Sequence, residues 1–458
     1  MSTIKKTLFF CIAAVIFFTE NIYAQYLNEA VVYIESVSAH YFEAIESKTK
    51  NTGTGIIVDA DKKLILTSSK SIGLGTLQIL KVLFADGSSQ QAKVLYVNRN
   101  HGYAIVTYDK HHAITDVPLF SDTQPENSAD VYMDGYVYDR PQVRKEGKIT
   151  SIDFHFTSRT FPLGITTFVT NFDRVFESAE KGARQFAFMG SPVFDTQGHL
   201  QGIVIASLEN QRVQYVLPKA YFIEAIRQLQ NDQMYTENTL LLYYEAFERQ
   251  TLQEIYRDSA KRLTACKHWL QVQQSSSSHQ EIQPSEIILS INNVPICSQL
   301  DFFEQTFNTS NQEVVLELMD TSGRVKTIST KVVPYPSMYF TEYLQADGAI
   351  FHSIPLSHQL IRQKWSGVYI TAKKPGTTFR FDGANTLLLT QIQDYPIHQI
   401  DDVKNALSTL DHGNPILLRY NYVGVDEFRT VTYKKSQYPT ELWKWDPQTS
   451  TWNNELKD

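Results

Sequence analysis

The residues that could do chemistry are a lysine set among serines and a serine beside a thioether. Lys70 lies in Ser68-Ser69-Lys70-Ser71, and Ser191 lies in Phe188-Met189-Gly190-Ser191-Pro192-Val193-Phe194-Asp195. A lysine whose pKa is lowered by burial can serve as the base for a serine nucleophile. Such a dyad also needs backbone N–H groups aimed at the developing oxyanion. Ser68, Ser69 and Ser71 share one short segment with no loop of that kind, and Ser191 runs straight into Pro192 and a strand. Met189 cannot attack at all, because a thioether has no proton to lose. His101, in Asn98-Arg99-Asn100-His101-Gly102-Tyr103, reads as a solvated or hydrogen-bonded strand histidine. The twelve histidines do not cluster at ligand spacing, so neither a metal nor another cofactor is expected. Beyond residue 24 the cysteines are Cys266 and Cys297, either a disulfide or two partly buried thiols.

The elements that must position these residues are mostly strands. Between residues 28 and 225, short apolar runs alternate with turns, as in Ala30-Val31-Val32-Tyr33-Ile34, Gly55-Ile56-Ile57-Val58 and Gly202-Ile203-Val204-Ile205. Such spacing predicts an all-β barrel or sandwich. Pro218 then opens a helix over 221–229. Residues 230–240 are polar and read as a linker, and apolar spacing around Leu252, Ile255, Tyr256 and Leu263 reads as helical within 243–274. Ser285-Glu286-Ile287-Ile288-Leu289-Ser290-Ile291-Asn292-Asn293-Val294-Pro295-Ile296 predicts strand, turn and strand, with Asn293 tolerating a positive φ. A helix over 301–308 and a strand over 313–318 follow. A second copy of this layout follows: Gly367-Val368-Tyr369-Ile370, a strand and turn within 386–397, a helix over 400–410 and a strand over 415–420. The tail carries Trp443, Trp445 and Trp452 and reads as a strap packed on a domain.

The 458 residues predict two or three domains, and 42% hydrophobic content suffices for ordinary cores. A formal charge of −7 with no strongly basic stretch argues against nucleic-acid partners. At the N-terminus, Lys5-Lys6, an apolar run from Thr7 to Phe18 and Ala24 before Gln25 read as a secretory signal. The run is too short to span a bilayer, so the expectation is cleavage and export across an inner membrane, into the periplasm of a Gram-negative source.

Several motifs together resemble the HtrA family of trypsin-like proteases. Phe188 to Asp195 is similar to that family's nucleophile loop, and the shared Pro-Val-Phe-Asp fixes the register so that Met189 takes the serine slot. Thr52-Gly53-Thr54-Gly55 and Leu64-Ile65-Leu66-Thr67-Ser68-Ser69-Lys70 are similar to the histidine region, with Lys70 in the histidine slot. Asn98 to Val106 is similar to the aspartate strand, with Gly102 in the aspartate slot. His101-Gly102-Tyr103-Ala104-Ile105-Val106, Tyr243-Tyr244-Glu245-Ala246-Phe247 and Tyr438-Pro439-Thr440-Glu441-Leu442-Trp443 resemble the degenerate second half of the large fungal nuclear HtrA-like pro-apoptotic proteases.

The resemblance implies a mainly β fold: a trypsin-like double β-barrel followed by two PDZ-like α+β domains. The implied division is a signal peptide over 1–24, the degenerate protease unit over 25–230, PDZ-like domains over 240–335 and 345–435, and the tail over 436–458. It implies no catalytic triad, and a scaffold, chaperone-like binder or regulatory subunit in place of a protease. The alternative is a serine endopeptidase whose nucleophile is displaced to Ser191. Implied partners are polypeptide segments or unfolded proteins, a separately encoded active HtrA-like subunit, and further copies of the chain. Tyr26, Tyr33, Tyr41 and Phe42 suit such self-association and equally suit ordinary packing, and Gly367, Val368 and Tyr369 would hold a peptide strand.

Overall fold

A computed structural model describes residues 28–38, 50–73, 77–114, 116–136, 142–156, 165–172, 188–208, 213–248, 251–252, 266, 268–276, 279–307, 313–335, 338, 340–361, 365–373, 387–422, 428–436 and 438–456. The expected signal peptide, Tyr26, Tyr41 and Phe42 lie outside them.

The first twelve strands form two closed six-stranded barrels. Strands β1 (Val31–Ser38), β2 (Lys50–Asp59), β3 (Leu64–Ser68), β4 (Leu77–Leu83), β5 (Ser89–Asn98) and β6 (Tyr103–Tyr108) close in the order β1-β2-β3-β6-β5-β4. Strands β7 (Asp130–Tyr136), β8 (Gln142–Phe156), β9 (Ile165–Phe172), β10 (Pro192–Asp195), β11 (Leu200–Leu208) and β12 (Val213–Pro218) close as β10-β11-β12-β9-β8-β7. The β-branched residues Val31, Val32, Ile34, Ile56, Ile57 and Ile65 suit the pleated backbone and are fully buried in the first barrel. Closure removes the free edges that an open sheet of such apolar strands would expose. Tyr33 turns inward as well: it is 7% exposed and meets Tyr136 edge-on at 5.8 Å, so it is not free to form a self-association surface.

A helix, Ile223–Gln230, leaves the second barrel and buries Ala225 and Ile226 in the core of the first. The next segment is not a polar linker, since Tyr235 is 6%, Glu237 1% and Leu240 0% exposed. The expected helix within 243–274 is replaced by strands at its two ends; Thr251 and Leu252 are helical, while Ile255, Tyr256 and Leu263 lie outside the described residues. Leu242–Glu248 and His268–Ser275 pair as antiparallel strands, because alternate residues such as Leu242 and Tyr244 pack inward. They continue a sheet with Ile287–Ile291, Glu313–Met319 and Val325–Lys331, on which the helix Gln299–Phe307 buries Phe302. Asn293 takes the expected positive φ, 64°.

The last sheet repeats the layout. Its path is Phe428–Lys434, Pro415–Tyr422, Leu387–Ile392, Val368–Lys373, Ala349–Ser353 and Glu342–Ala346, with the helix Ile400–Ser408 burying Val403 and Leu407 against it. The tail extends this sheet as a hairpin, Glu441–Asp446 with Thr451–Asn454, paired to Glu342–Gln345. Trp452 is 7% exposed and packs on Tyr343, 4.9 Å between ring centres, within the cluster that includes the first barrel's core. The Ser450 hydroxyl donates to the Leu95 carbonyl at 3.0 Å, tying the tail to β5. The tail is therefore a packed strap, as its tryptophans suggested.

Candidate functional site

The turn after β3 brings the three sequence-predicted slots together. Ser68 ends β3 and caps the short helix Ser69–Ile72, its hydroxyl accepting from the Lys70 N–H at 3.3 Å. The Ser69 N–H donates to the Gly102 carbonyl at 2.9 Å. The Ser71 hydroxyl donates to the Met189 carbonyl at 3.2 Å, and the Thr54 N–H donates to the same oxygen at 2.8 Å. One helical turn thus links the Gly102 slot on one side to the Met189 slot on the other, with Lys70 between. Arg99, which the sequence did not single out, secures this turn: it is 5% exposed and donates to the carbonyls of Ser69, at 2.7 Å, and of Gly73.

The Met189 loop is packed as core. Phe188 is 2% and Met189 5% exposed. The backbone turns tightly, with the Ser191 N–H donating to Phe188 O at 3.0 Å and the Gly190 N–H to Val204 O at 2.8 Å. Both N–H groups are spent within the fold. Gly190 is the residue this turn requires: its φ is +84°, and a Cβ there would stand 2.1 Å from the Thr54 carbonyl oxygen. Gly102 likewise has φ +81°, which a side chain such as aspartate adopts at a cost.

Ser191 is fully buried and sits behind the slot. A Cβ on Gly135 would lie 2.3 Å from its hydroxyl oxygen, and that oxygen has no hydrogen-bond partner among the described residues. Lys70 is half-buried, and burial brings its ammonium pKa down to about 8. This gives the lysine a usable basicity, while the serine it would serve is sealed from solvent.

His101 is the hydrogen-bonded histidine of the two alternatives rather than the solvated one, and it stands in a turn rather than in a strand. It is 7% exposed, in the turn before β6, with its Nδ1 3.4 Å from Glu237 Oε1 and 3.2 Å from Oε2. The rings of Tyr221, Phe303, Phe307 and Tyr335 surround it at 4.9–6.0 Å. The Tyr103 hydroxyl donates to Glu237 Oε1 at 3.3 Å. Glu237 is a polar residue that sequence reasoning missed, since nothing in its polar surroundings marks a glutamate for burial.

Val368 and Tyr369, expected to hold a peptide strand after Gly367, lie on an inner strand paired on both sides. Val368 pairs with Ser353 and Leu389, and Tyr369 with His352 and Leu388. Their backbone groups are committed to the sheet, so no further strand can add there. Cys266 and Cys297 form a disulfide, with Cα atoms 5.1 Å apart. Among the described residues, no group of three or more His, Cys, Asp or Glu could hold a metal ion.

Comparison with known proteins agrees with the barrels. Residues 53–203 match the trypsin-like peptidase domain. The chain is similar to the pro-apoptotic serine protease NMA111 of Lodderomyces elongisporus, 23% identical over 446 residues, covering 89% of this chain and 43% of that one. It is also similar to NMA111 of Debaryomyces hansenii, 30% identical over 105 residues, covering 22% of this chain and 10% of that one. A solved structure, the HtrA-type protease AlgW with tripeptide, is 14% identical with a TM-score of 0.49, covering 68% of this chain and 95% of that one. The chain spans about two fifths of the length of the first of these relatives. The relatives also correct the expected location: they are fungal proteins, which points away from export into a bacterial periplasm. With a double barrel of this topology, a trypsin-like peptidase domain matched across it and similarity to relatives of this kind along most of its length, the chain is an HtrA-like protein of the trypsin fold.

Proposed function

We propose that this HtrA-like protein is a pseudoprotease, a protease fold that holds polypeptides without cleaving them. One observation carries the reading. The turn Ser69–Ile72 joins Lys70, Gly102 and Met189 where a triad would stand, and this set contains neither a nucleophile nor a carboxylate. Met189 and Phe188 fill the space. Hydrolysis then lacks both its groups and its room.

Binding is the remaining work of the molecule. The two α+β units share one order of strands and helix, which supports reading both as PDZ-like modules, with any extended segment adding at a sheet edge such as Phe428–Lys434 rather than at Val368–Lys373. The relatives are serine proteases by name and more than twice as long. In this reading the chain acts as a scaffold or regulatory subunit beside a separately made, active HtrA-like protein.

A second reading has one observation in its favour, the lowered pKa of Lys70, which suits a Ser–Lys dyad. It requires Ser191 to leave a fully buried position. Casein hydrolysis by the full chain separates the two. The pseudoprotease reading expects turnover no greater than that of the Lys70→Ala and Ser191→Ala variants. Activity lost in either variant overturns it.

A further inference from the structure

The last sheet ends on a strand with a single neighbour. Phe428–Lys434 pairs with Pro415–Tyr422, and no strand lies beyond it among the described residues. Such an edge leaves a row of N–H and C=O groups pointing outward, a template for pairing with another chain. Folds commonly blunt an edge with a bulge, a proline or a very short strand. This one pairs seven residues in continuous register, from Asn421↔Phe428 to Pro415↔Lys434, and contains no proline. Phe428, Thr430, Val431, Thr432 and Tyr433 give it a strongly strand-forming composition.

Apolar surface and positive charge meet on this edge. Phe428 is 53% and Leu417 40% exposed. The alternation of side chains sets Phe428, Thr430 and Thr432 beside Leu417 and Arg419 on the outer face. It sets Arg429, Val431 and Tyr433 on the other face, in the row of the core residues Ile416 and Leu418. The Arg419 guanidinium lies 4.3 Å over the Phe428 ring, and that of Arg429 4.8 Å over the Tyr422 ring. Each face of the edge thus holds one arginine, positioned by an aromatic ring. Neither arginine enters an ion pair among the described residues, and the two strands contain no aspartate or glutamate. The corresponding edge of the first α+β sheet, Val325–Lys331, differs. Its Lys326 is held by Glu286 at 2.6 Å, and the neighbouring Arg324 by Asp320 at 2.9 Å.

Charge decides what can pair here. A second copy of the same strand would bring Arg429 and Lys434 against another pair of cations, and like charges across a strand pair are destabilising. A segment with carboxylates meets the opposite field, and an arginine can take a carboxylate through two parallel hydrogen bonds. Because successive side chains alternate faces, two adjacent acidic residues put one carboxylate on the side of Arg419 and one on the side of Arg429.

We infer that Phe428–Lys434 is the docking edge for an extended acidic polypeptide segment, which adds as a strand and sets one carboxylate against Arg419 and another against Arg429. The inference rests on the reading of this chain as a polypeptide binder and names the edge and the chemistry of the partner.

Fluorescence anisotropy on the full chain tests this with fluorescein-labelled Thr-Val-Glu-Asp-Val-Thr-amide and its neutral counterpart Thr-Val-Gln-Asn-Val-Thr-amide. The acidic peptide should bind at least about fivefold more tightly, the difference that two exposed ion pairs supply. Arg419→Gln/Arg429→Gln should abolish that preference. Hydrogen exchange with saturating acidic peptide should slow within Phe428–Lys434 and stay unchanged within Val325–Lys331 and Val368–Lys373. No binding, equal binding of both peptides, a preference that survives the double variant, or protection at another strand overturns the inference. If thermal melting shows that the double variant does not fold, the wild-type preference and the exchange map still decide. A dimer in sedimentation that the acidic peptide dissociates assigns the edge to a second copy and overturns it as well. Casein turnover, measured separately, reports on the pseudoprotease reading, so a failure there and a failure at this edge are told apart.

Discussion

Removing the Cys266–Cys297 bridge should loosen one part of the molecule by a calculable amount. The bridge joins residues 31 apart in sequence and lies between the strand His268–Ser275 and the turn that precedes the helix Gln299–Phe307. Cys266 is 4% exposed within a small cluster of Leu252, Trp269, Ile287 and Met319. Closing a loop of that length removes about 12 cal/mol/K from the unfolded ensemble, or about 3.7 kcal/mol at 25 °C. A chain with several units does not unfold in one step, so a regional assay is needed. Hydrogen exchange followed by mass spectrometry, comparing wild type with Cys266→Ala/Cys297→Ala, supplies one. Amides of His268–Ser275 and Ile287–Ile291 should exchange about 500-fold faster, while those of β1–β6 stay within a few-fold. A regional change below about fivefold, or an equal change in the barrels, would refute the reasoning. A thiol count on the denatured, unreduced chain should find one free thiol of the three cysteines, and a count of three would refute the bridge itself.

Further expectations concern the site and the strap. Gly190→Ala meets both a positive φ and the Thr54 carbonyl, so it should cost at least about 2 kcal/mol, read as a lower melting temperature than that of Gly87→Ala, whose added carbon meets nothing within 4 Å. Trp452→Ala should cost about 3–5 kcal/mol and expose the tail to limited proteolysis, because its ring is buried against Tyr343 and Trp445. Lys70 gives a pH signature. Its folded pKa, about 8, lies below the ordinary 10.5, so between these values the unfolded chain holds more protons and stability rises with pH. Urea unfolding at pH 7.5 and pH 10 should show this rise in wild type and a smaller one in Lys70→Met.

Much of the architecture was legible because it rests on local signals. Alternating β-branched runs and an Asn-Asn turn mark strands wherever they fall, and Pro-Val-Phe-Asp set the alignment of the Met189 loop. The disagreements arise where long-range packing decides. Leu242–Glu248 carries aromatic residues that fit either a helix or a strand, and pairing with His268–Ser275 settles the choice. Residues 230–240 look like a linker by composition, yet Glu237 is held by Tyr103 and His101, 134 and 136 positions away. Val368 and Tyr369 read as a peptide-binding strand because sequence does not tell an inner strand from an edge. Ser191 shows the same limit, since only the fold reveals that Gly135 walls in its hydroxyl.

The most direct test of the account is active-site labelling of the full chain with a fluorophosphonate, read by intact mass, beside Ser191→Ala and Lys70→Ala. The account predicts no adduct on any of the three, because no serine hydroxyl is both activated and open at the slot where Met189 stands. An adduct on wild type that Ser191→Ala abolishes would contradict it and establish a displaced nucleophile.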